Sequence, residues 1–174
     1  MSLYLVESVF GAIDRTKFQA VIGDLQSAAE KQGVRLIEVQ AAADYTRAFF
    51  LLESESRNDV TEAFRGAGVP IALIKPVRLI GKDVRADAGA RDVNYMVEWN
   101  IPEGVTMEQY LERKKTNSVY YAEVPEVEFS RTYVCEDMTK CLCFYKAPDE
   151  SAVKRAREAV RTPIDSITKL SAKL

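Results

Sequence analysis

The chain contains no histidine. That absence removes Ser-His-Asp and Cys-His catalysis together with every imidazole-based metal site. Long apolar runs are missing too. Nothing approaches the ~18 consecutive apolar residues of a membrane-spanning helix, and Glu7 interrupts the opening apolar run, so residues 1–6 read as a strand rather than a signal peptide. No excess of basic charge exists, the formal net charge being −2. Neither nucleic acid nor an anionic membrane is therefore expected as a partner. Cysteine is sparse: Cys135, Cys141 and Cys143 cannot all pair within one chain. Without an export signal, reduced thiols in the cytoplasm are the expectation. Phosphate-binding glycine loops, dinucleotide fingerprints and EF-hand loops are all absent.

What remains is an ordinary globular composition. With 174 residues, 47% apolar and 29% charged, the chain has material for one large or two small domains with a real core.

A repeat organises it. Tyr4-Leu-Val-Glu7 is echoed by Tyr95-Met-Val-Glu98, and a constant shift of 93 lays 44–77 onto 137–170. Asp44, Thr46, Val60, Ala63, Pro70, Ile71 and Ile74 then meet identical residues. Each half reads strand, helix, strand, turn, strand, helix, strand. In the first half, Phe18, Val21, Ile22, Leu25 and Ala29 recur at helical spacing, and Gly33 ends that helix. A hairpin surrounds residues 43–45, and Asn58 is placed to cap the second helix. In the second half, Thr106-Met-Glu-Gln109 forms a capping box, and Pro148-Asp149 opens the last helix. The charged, small-residue stretch 82–93 has linker composition. The expected fold class is therefore α+β: tandem ferredoxin-like βαββαβ repeats at 1–81 and 94–174, joined by a linker at 82–93.

Strand residues 48–52 (Ala-Phe-Phe-Leu-Leu) do not alternate, so both faces of that strand require cover. Two four-stranded antiparallel sheets packed face to face at about 10 Å, helices outside, would supply it. A homodimer partner would serve equally well, so the chain is expected to be a monomer or a homodimer. Period-two alternation sets Leu142 and Phe144 against the helices and Cys141, Cys143 and Tyr145 on the other face. Glu98 is expected to converge there with Cys143 and Tyr145.

The segment Tyr133-Val134…Asp137…Thr139-Lys140…Cys143-Phe-Tyr-Lys-Ala-Pro-Asp-Glu150 resembles a bacterial family of small ferredoxin-like proteins of largely unknown function. Some of its members are described as nickel-binding. The Tyr-x-Val-Glu openings and the Pro-x-x-x-Ile closings at 70–74 and 163–167 fit the same pattern. The resemblance places the family's cysteine and tyrosine on Cys143 and Tyr145, and its first-strand glutamate on Glu98 and Glu7. Its helix histidine falls on Ala156, and on Ala63 in the first half. The ligand-binding positions so implied are Glu98, Cys143, Tyr145 and Glu7, with no catalytic residue, metal ligand or cofactor assigned.

Taken by themselves, Cys141 and Cys143 read as small buried residues. Glu98 reads either as a structural ion pair or as a carboxylate with a functional pKa shift. Three functions follow. The leading expectation is a non-catalytic protein binding a small molecule or metal. The alternatives are a cofactor-free enzyme with a site between the sheets, using Glu98 and Tyr145, and a structural or interaction protein with a filled seam.

Overall fold

The computed structural model describes residues 1–172. Among the described residues eight strands and four α-helices follow in the order β1 (Ser2–Val9), α1 (Arg15–Lys31), β2 (Arg35–Ala41), β3 (Arg47–Ser54), α2 (Arg57–Ala67), β4 (Leu73–Gly81), β5 (Tyr95–Asn100), α3 (Met107–Asn117), β6 (Glu128–Cys135), β7 (Lys140–Lys146), α4 (Glu150–Ala159) and β8 (Ser166–Lys169). Two compact units result. The first holds residues 1–77 with 170–172, and the second holds Arg78–Lys169.

In the first unit the strand order is β2-β3-β1-β4 with antiparallel neighbours. Tyr4, Val6, Ala48, Phe50 and Leu52 pack on one sheet face against Phe18, Leu25, Val60, Ala63 and Phe64 of the helices. The Phe50 and Phe64 rings meet edge to face at 5.3 Å, a geometry favoured by the ring quadrupoles. All five residues 48–52 are buried. α2 starts on Ser56, whose hydroxyl accepts from the Asp59 amide, rather than on Asn58. Ser56 has the extended backbone an N-cap needs, and Asn58 already lies inside the first turn.

In the second unit β6-β7-β5-β8 form the corresponding order, again antiparallel. The Thr106–Gln109 capping box opens α3, and the Asp149 side chain caps α4 by accepting from the Ala152 amide. Residues 82–93 lie between the two repeats expected from the sequence. They hold a 3₁₀ turn at Ala88–Arg91 and bury Val84, Ala90 and Val93.

The hairpins of the two units share one device. Asp44 accepts from the Thr46 amide and hydroxyl, and Asp137 accepts in the same way from Thr139. The intervening Tyr45 and Met138 sit at φ 61° and 59°, in the left-handed region that such a turn imposes. This explains two of the repeated identities by turn chemistry. Among the described residues no helix is long and apolar enough to cross a membrane.

Candidate functional site

Cross-strand partners share a sheet face. β5 and β7 pair Tyr95 with Tyr145, Val97 with Cys143 and Trp99 with Cys141, while Glu98 pairs with Leu142. The first set packs with Tyr110, Ala152, Val153 and Ala156 of the helices. The expected facing is thus reversed: Cys141, Cys143 and Tyr145 lie under the helices. Phe144 turns the other way, against Tyr133 and the Arg131 guanidinium. Both faces of β7 are buried, and cysteine and tyrosine are apolar enough for either, so polarity could not choose between them.

Glu98 is therefore not brought together with Cys143 and Tyr145. Its carboxylate accepts from Lys140 Nζ at 2.8 Å and from the Ser166 hydroxyl. Glu7, in the first unit, is bound by Arg47 Nη2 at 2.6 Å. Each first-strand glutamate thus meets a cation at the start of the unit's third strand, as a structural ion pair would.

Cys143 and Tyr145 belong to a different group. Arg157, only 1% exposed, projects from α4 and donates from Nη1 to Cys143 Sγ at 3.3 Å and to Tyr145 Oη at 3.2 Å. Its Nη2 donates to the Pro163 carbonyl at 2.6 Å. The Thr132 hydroxyl reaches the same sulfur from β6 at 3.0 Å. Tyr121 Oη lies 2.7 Å from Tyr145 Oη. A bulge between Phe129 and Arg131 puts Thr132 on the helix side while keeping Phe129 there.

Charge follows from these contacts. The thiol of Cys143 is held well below its usual range by the Cys141 hydrogen bond, with Lys114, Arg157 and Thr132 adding to it against the cost of burial. Cys141 is pushed up as its partner ionises. We assign the thiolate to Cys143, because the guanidinium and the threonine hydroxyl both point at that sulfur. Burial, then the Cys143 charge, pushes Tyr145 up to about 12. Burial leads the upward shift of Tyr110 and Tyr121 as well. The phenols thus stay protonated at neutral pH, beside a sulfur whose ionised form is favoured. For Arg157 burial opposes the charge, but its interactions with Cys143 and Tyr145 outweigh it and raise its pKa.

Beside this group is a cavity of about 20 Å³ lined by Trp99, Tyr110, Arg113, Lys114, Arg157 and Thr162. Arg157 Nε is fully buried and finds no acceptor. The Arg113 guanidinium lies over the Trp99 ring at 5.7 Å, and Trp99 stacks on Tyr110.

The chemistry of the donor set does not fit a nickel ion. The sulfur of Cys143 and the phenol of Tyr145 already share the Arg157 cation. Among the described residues no three His, Cys, Asp or Glu side chains are grouped to hold a metal.

Arg157, Thr132, Tyr110 and Tyr121 are not among the site residues expected from the sequence. Arg157 had a usable signal. It falls with Val153, Ala156 and Val160 on the buried stripe of α4, where a charge demands a partner. Thr132 had none, because the bulge breaks the alternation that would have placed it.

Comparison with solved structures defines the class. The chain is similar to a candidate chlorite dismutase (13% identity, TM-score 0.50, covering 98% of this chain and 95% of that one). It is similar to an anthrone oxidase-like protein (12%, TM-score 0.50, 99% and 97%), and to a candidate monooxygenase from Lactobacillus acidophilus NCFM (10%, TM-score 0.49, 98% and 93%). These neighbours are ferredoxin-like dimeric α+β barrel folds, and at such identities the likeness shows the fold. The leading expectation of a non-catalytic binding protein is corrected here: the two neighbours at TM-score 0.50 carry enzyme or enzyme-like titles.

Residues 95–170 match the family described as nickel responsive protein SCO4226-like. No curated protein matches the chain.

Proposed function

We propose that the chain is an enzyme whose reaction centre is Cys143, acting as a nucleophilic thiolate on a small electrophile. Arg157 and Thr132 hold its charge, and Tyr145 with Tyr121 supplies protons. The observation that carries this reading is the convergence of the Arg157 guanidinium and the Thr132 hydroxyl on one buried sulfur. A thiolate, not a thiol, is the nucleophile, and positive, hydrogen-bond-rich surroundings create it.

The first unit supplies a contrast. At the same places on its third strand and second helix stand Phe50 and Phe64, an apolar ring pair. The fold position accepts plain packing, so a polar pair there costs burial of charge without being needed for folding. Catalysis gives it a reason, and the enzyme titles of the fold's neighbours agree. This reading places the electrophile on the helix side of the second unit's sheet, not beside Glu98.

The whole chain, on this view, is a tandem duplication of the unit that the family model covers, with repeats at 1–81 and 94–174. The repeated identities and the shared Asp-x-Thr hairpins support it. The reducing cytoplasm suits an unpaired thiolate.

The test uses p-nitrophenyl acetate as electrophile. Release of p-nitrophenolate by the wild-type chain should fall at least tenfold in Cys143→Ser and remain in Cys135→Ser. Equal turnover by wild type and Cys143→Ser would defeat the reading.

A further inference from the structure

We infer that the cavity lined by Trp99, Arg113, Lys114, Arg157 and Thr162 is a binding site for one small monovalent inorganic anion, a halide of chloride size. The site does not use the Cys143 sulfur, so it stands or falls independently of the thiolate reading above.

Three observations carry it. The first is charge. Arg113, Lys114 and Arg157 line one cavity, and among the described residues none of these cations forms an ion pair with a carboxylate. Arg113 instead lies over the Trp99 ring and donates to the Arg161 carbonyl, and Lys114 sits over the Phe129 ring at 4.4 Å. The second is an orphaned donor. Arg157 is almost fully buried, and its Nε–H finds no acceptor. In a planar guanidinium the Nε–H and one Nη2–H leave by the same edge, the fork that grips oxyanions. Nη2 reaches the Pro163 carbonyl at 2.6 Å, and Thr162, next to Pro163, lines the cavity. That edge is therefore turned towards the cavity, whereas Nη1 serves Cys143 and Tyr145. The third is size. A cavity of about 20 Å³ holds roughly one water-sized particle. A halide fits, whereas a carboxylate, phosphate or sulfate must push side chains aside.

A water molecule would accept from Nε equally well, but it would leave three positive charges uncompensated. An anion interacts favourably with all three. Trp99, Tyr110 and Arg157 form a buried floor, while Arg113 is exposed and Lys114 and Thr162 are half-buried. The anion therefore enters past α3 and reaches apolar walls where its attraction to the cations is less screened than at a surface. The lining hydroxyls are committed elsewhere: Thr162 donates to the Val160 carbonyl, and Tyr110 is hydrogen-bonded to Cys141. Charge and size then do the holding, so chloride and bromide should compete for the same place.

Trp99 is the single tryptophan of the chain and lines the cavity, so its fluorescence reports occupancy. The reduced full-length chain is titrated with potassium bromide, a heavy-atom quencher, at an ionic strength held constant with gluconate, which is too large to enter. Quenching should saturate along a one-site curve, and potassium chloride added at fixed bromide should reverse it. Arg113→Gln, at an exposed position, should raise the half-saturating bromide concentration about fivefold, the upper end for one exposed charge. The double variant Arg157→Met with Cys143→Ala removes both members of the buried pair and so keeps the fold. It should lose the saturable component. Linear, chloride-insensitive quenching of the wild type would overturn the site. Saturable quenching left unchanged by either variant would overturn it too, because the anion would then be held elsewhere.

Discussion

Arg157 bridges two elements of the second unit through a single nitrogen: Nη1 donates to the Cys143 sulfur at 3.3 Å and to the Tyr145 hydroxyl at 3.2 Å. A buried guanidinium held this way is stabilising only with its anion. Removing one partner of a buried pair costs about 3–5 kcal/mol, while removing both for apolar groups of similar volume is often nearly neutral. Arg157→Met should therefore destabilise the chain by about that amount in urea unfolding. Adding Cys143→Ala should cost much less than the sum of the two single changes. Additive costs would show that the thiol and guanidinium do not sense each other.

Cys141 sets the charge on its neighbour. Its hydrogen bond is the leading cause of the low Cys143 pKa, so Cys141→Ala should raise that pKa. The measurement is thiolate absorbance near 240 nm across pH. In wild type it should persist below the ordinary thiol range of about 8.5, and in the variant it should be lost at higher pH. A group whose folded pKa is depressed adds stability above its unfolded pKa and loses it as pH falls through the folded value. Cys143 should thus contribute less to stability on acidification, with the raised Cys141 partly offsetting it. An unchanged absorbance profile in Cys141→Ala would assign the shift to other contacts.

The fold was readable largely because its signals are local: helical periodicity, the capping box at Thr106, and the Asp-x-Thr turns at 44–46 and 137–139. The site was less readable because it depends on which way β7 faces. Cys141-Leu-Cys-Phe-Tyr145 is buried on both faces, so alternation grouped the residues correctly and could not orient the groups. Only the register of Glu98 against Leu142 separates it from Cys143. Arg157, a charge inside an apolar helical stripe, was the one overlooked clue that sequence contained.

Nickel affinity follows from the same contacts. Cys143 and Tyr145 face a guanidinium, and the chain has no imidazole to offer. Calorimetric titration of the reduced chain with nickel should show no stoichiometric submicromolar site. Such a site, if measured, would mean that the metal displaces Arg157, and Arg157→Ala should then tighten it.

The first unit offers a control for packing without chemistry. Phe50 is fully buried and meets Phe64 at 5.3 Å. Deleting a buried aromatic side chain costs about 3–5 kcal/mol. Phe50→Ala should lower stability by that much in urea unfolding. A change below about 1 kcal/mol would mean that the surrounding residues collapse into the space.

Tyr145 gives the pH dependence its alkaline edge. Its phenol is fully buried and its pKa is pushed up to about 12, first by burial and then by the Cys143 charge, against about 10 in an unfolded chain. A raised folded pKa means that the protonated form is favoured by folding. The associated stability is fully present below pH 10 and is lost as pH climbs towards 12. Two units correspond to about 3 kcal/mol. Tyr145→Phe removes the titrating group but also its hydrogen bonds to Arg157 and Tyr121, so the variant should be the less stable form near pH 8. Above pH 10 only the wild type carries the growing penalty at this position. The stability difference between the two, measured by urea unfolding at intervals from pH 8 to 11.5, should therefore shrink steadily. A gap that stays constant over that range would show that Tyr145 titrates as it does in the unfolded chain.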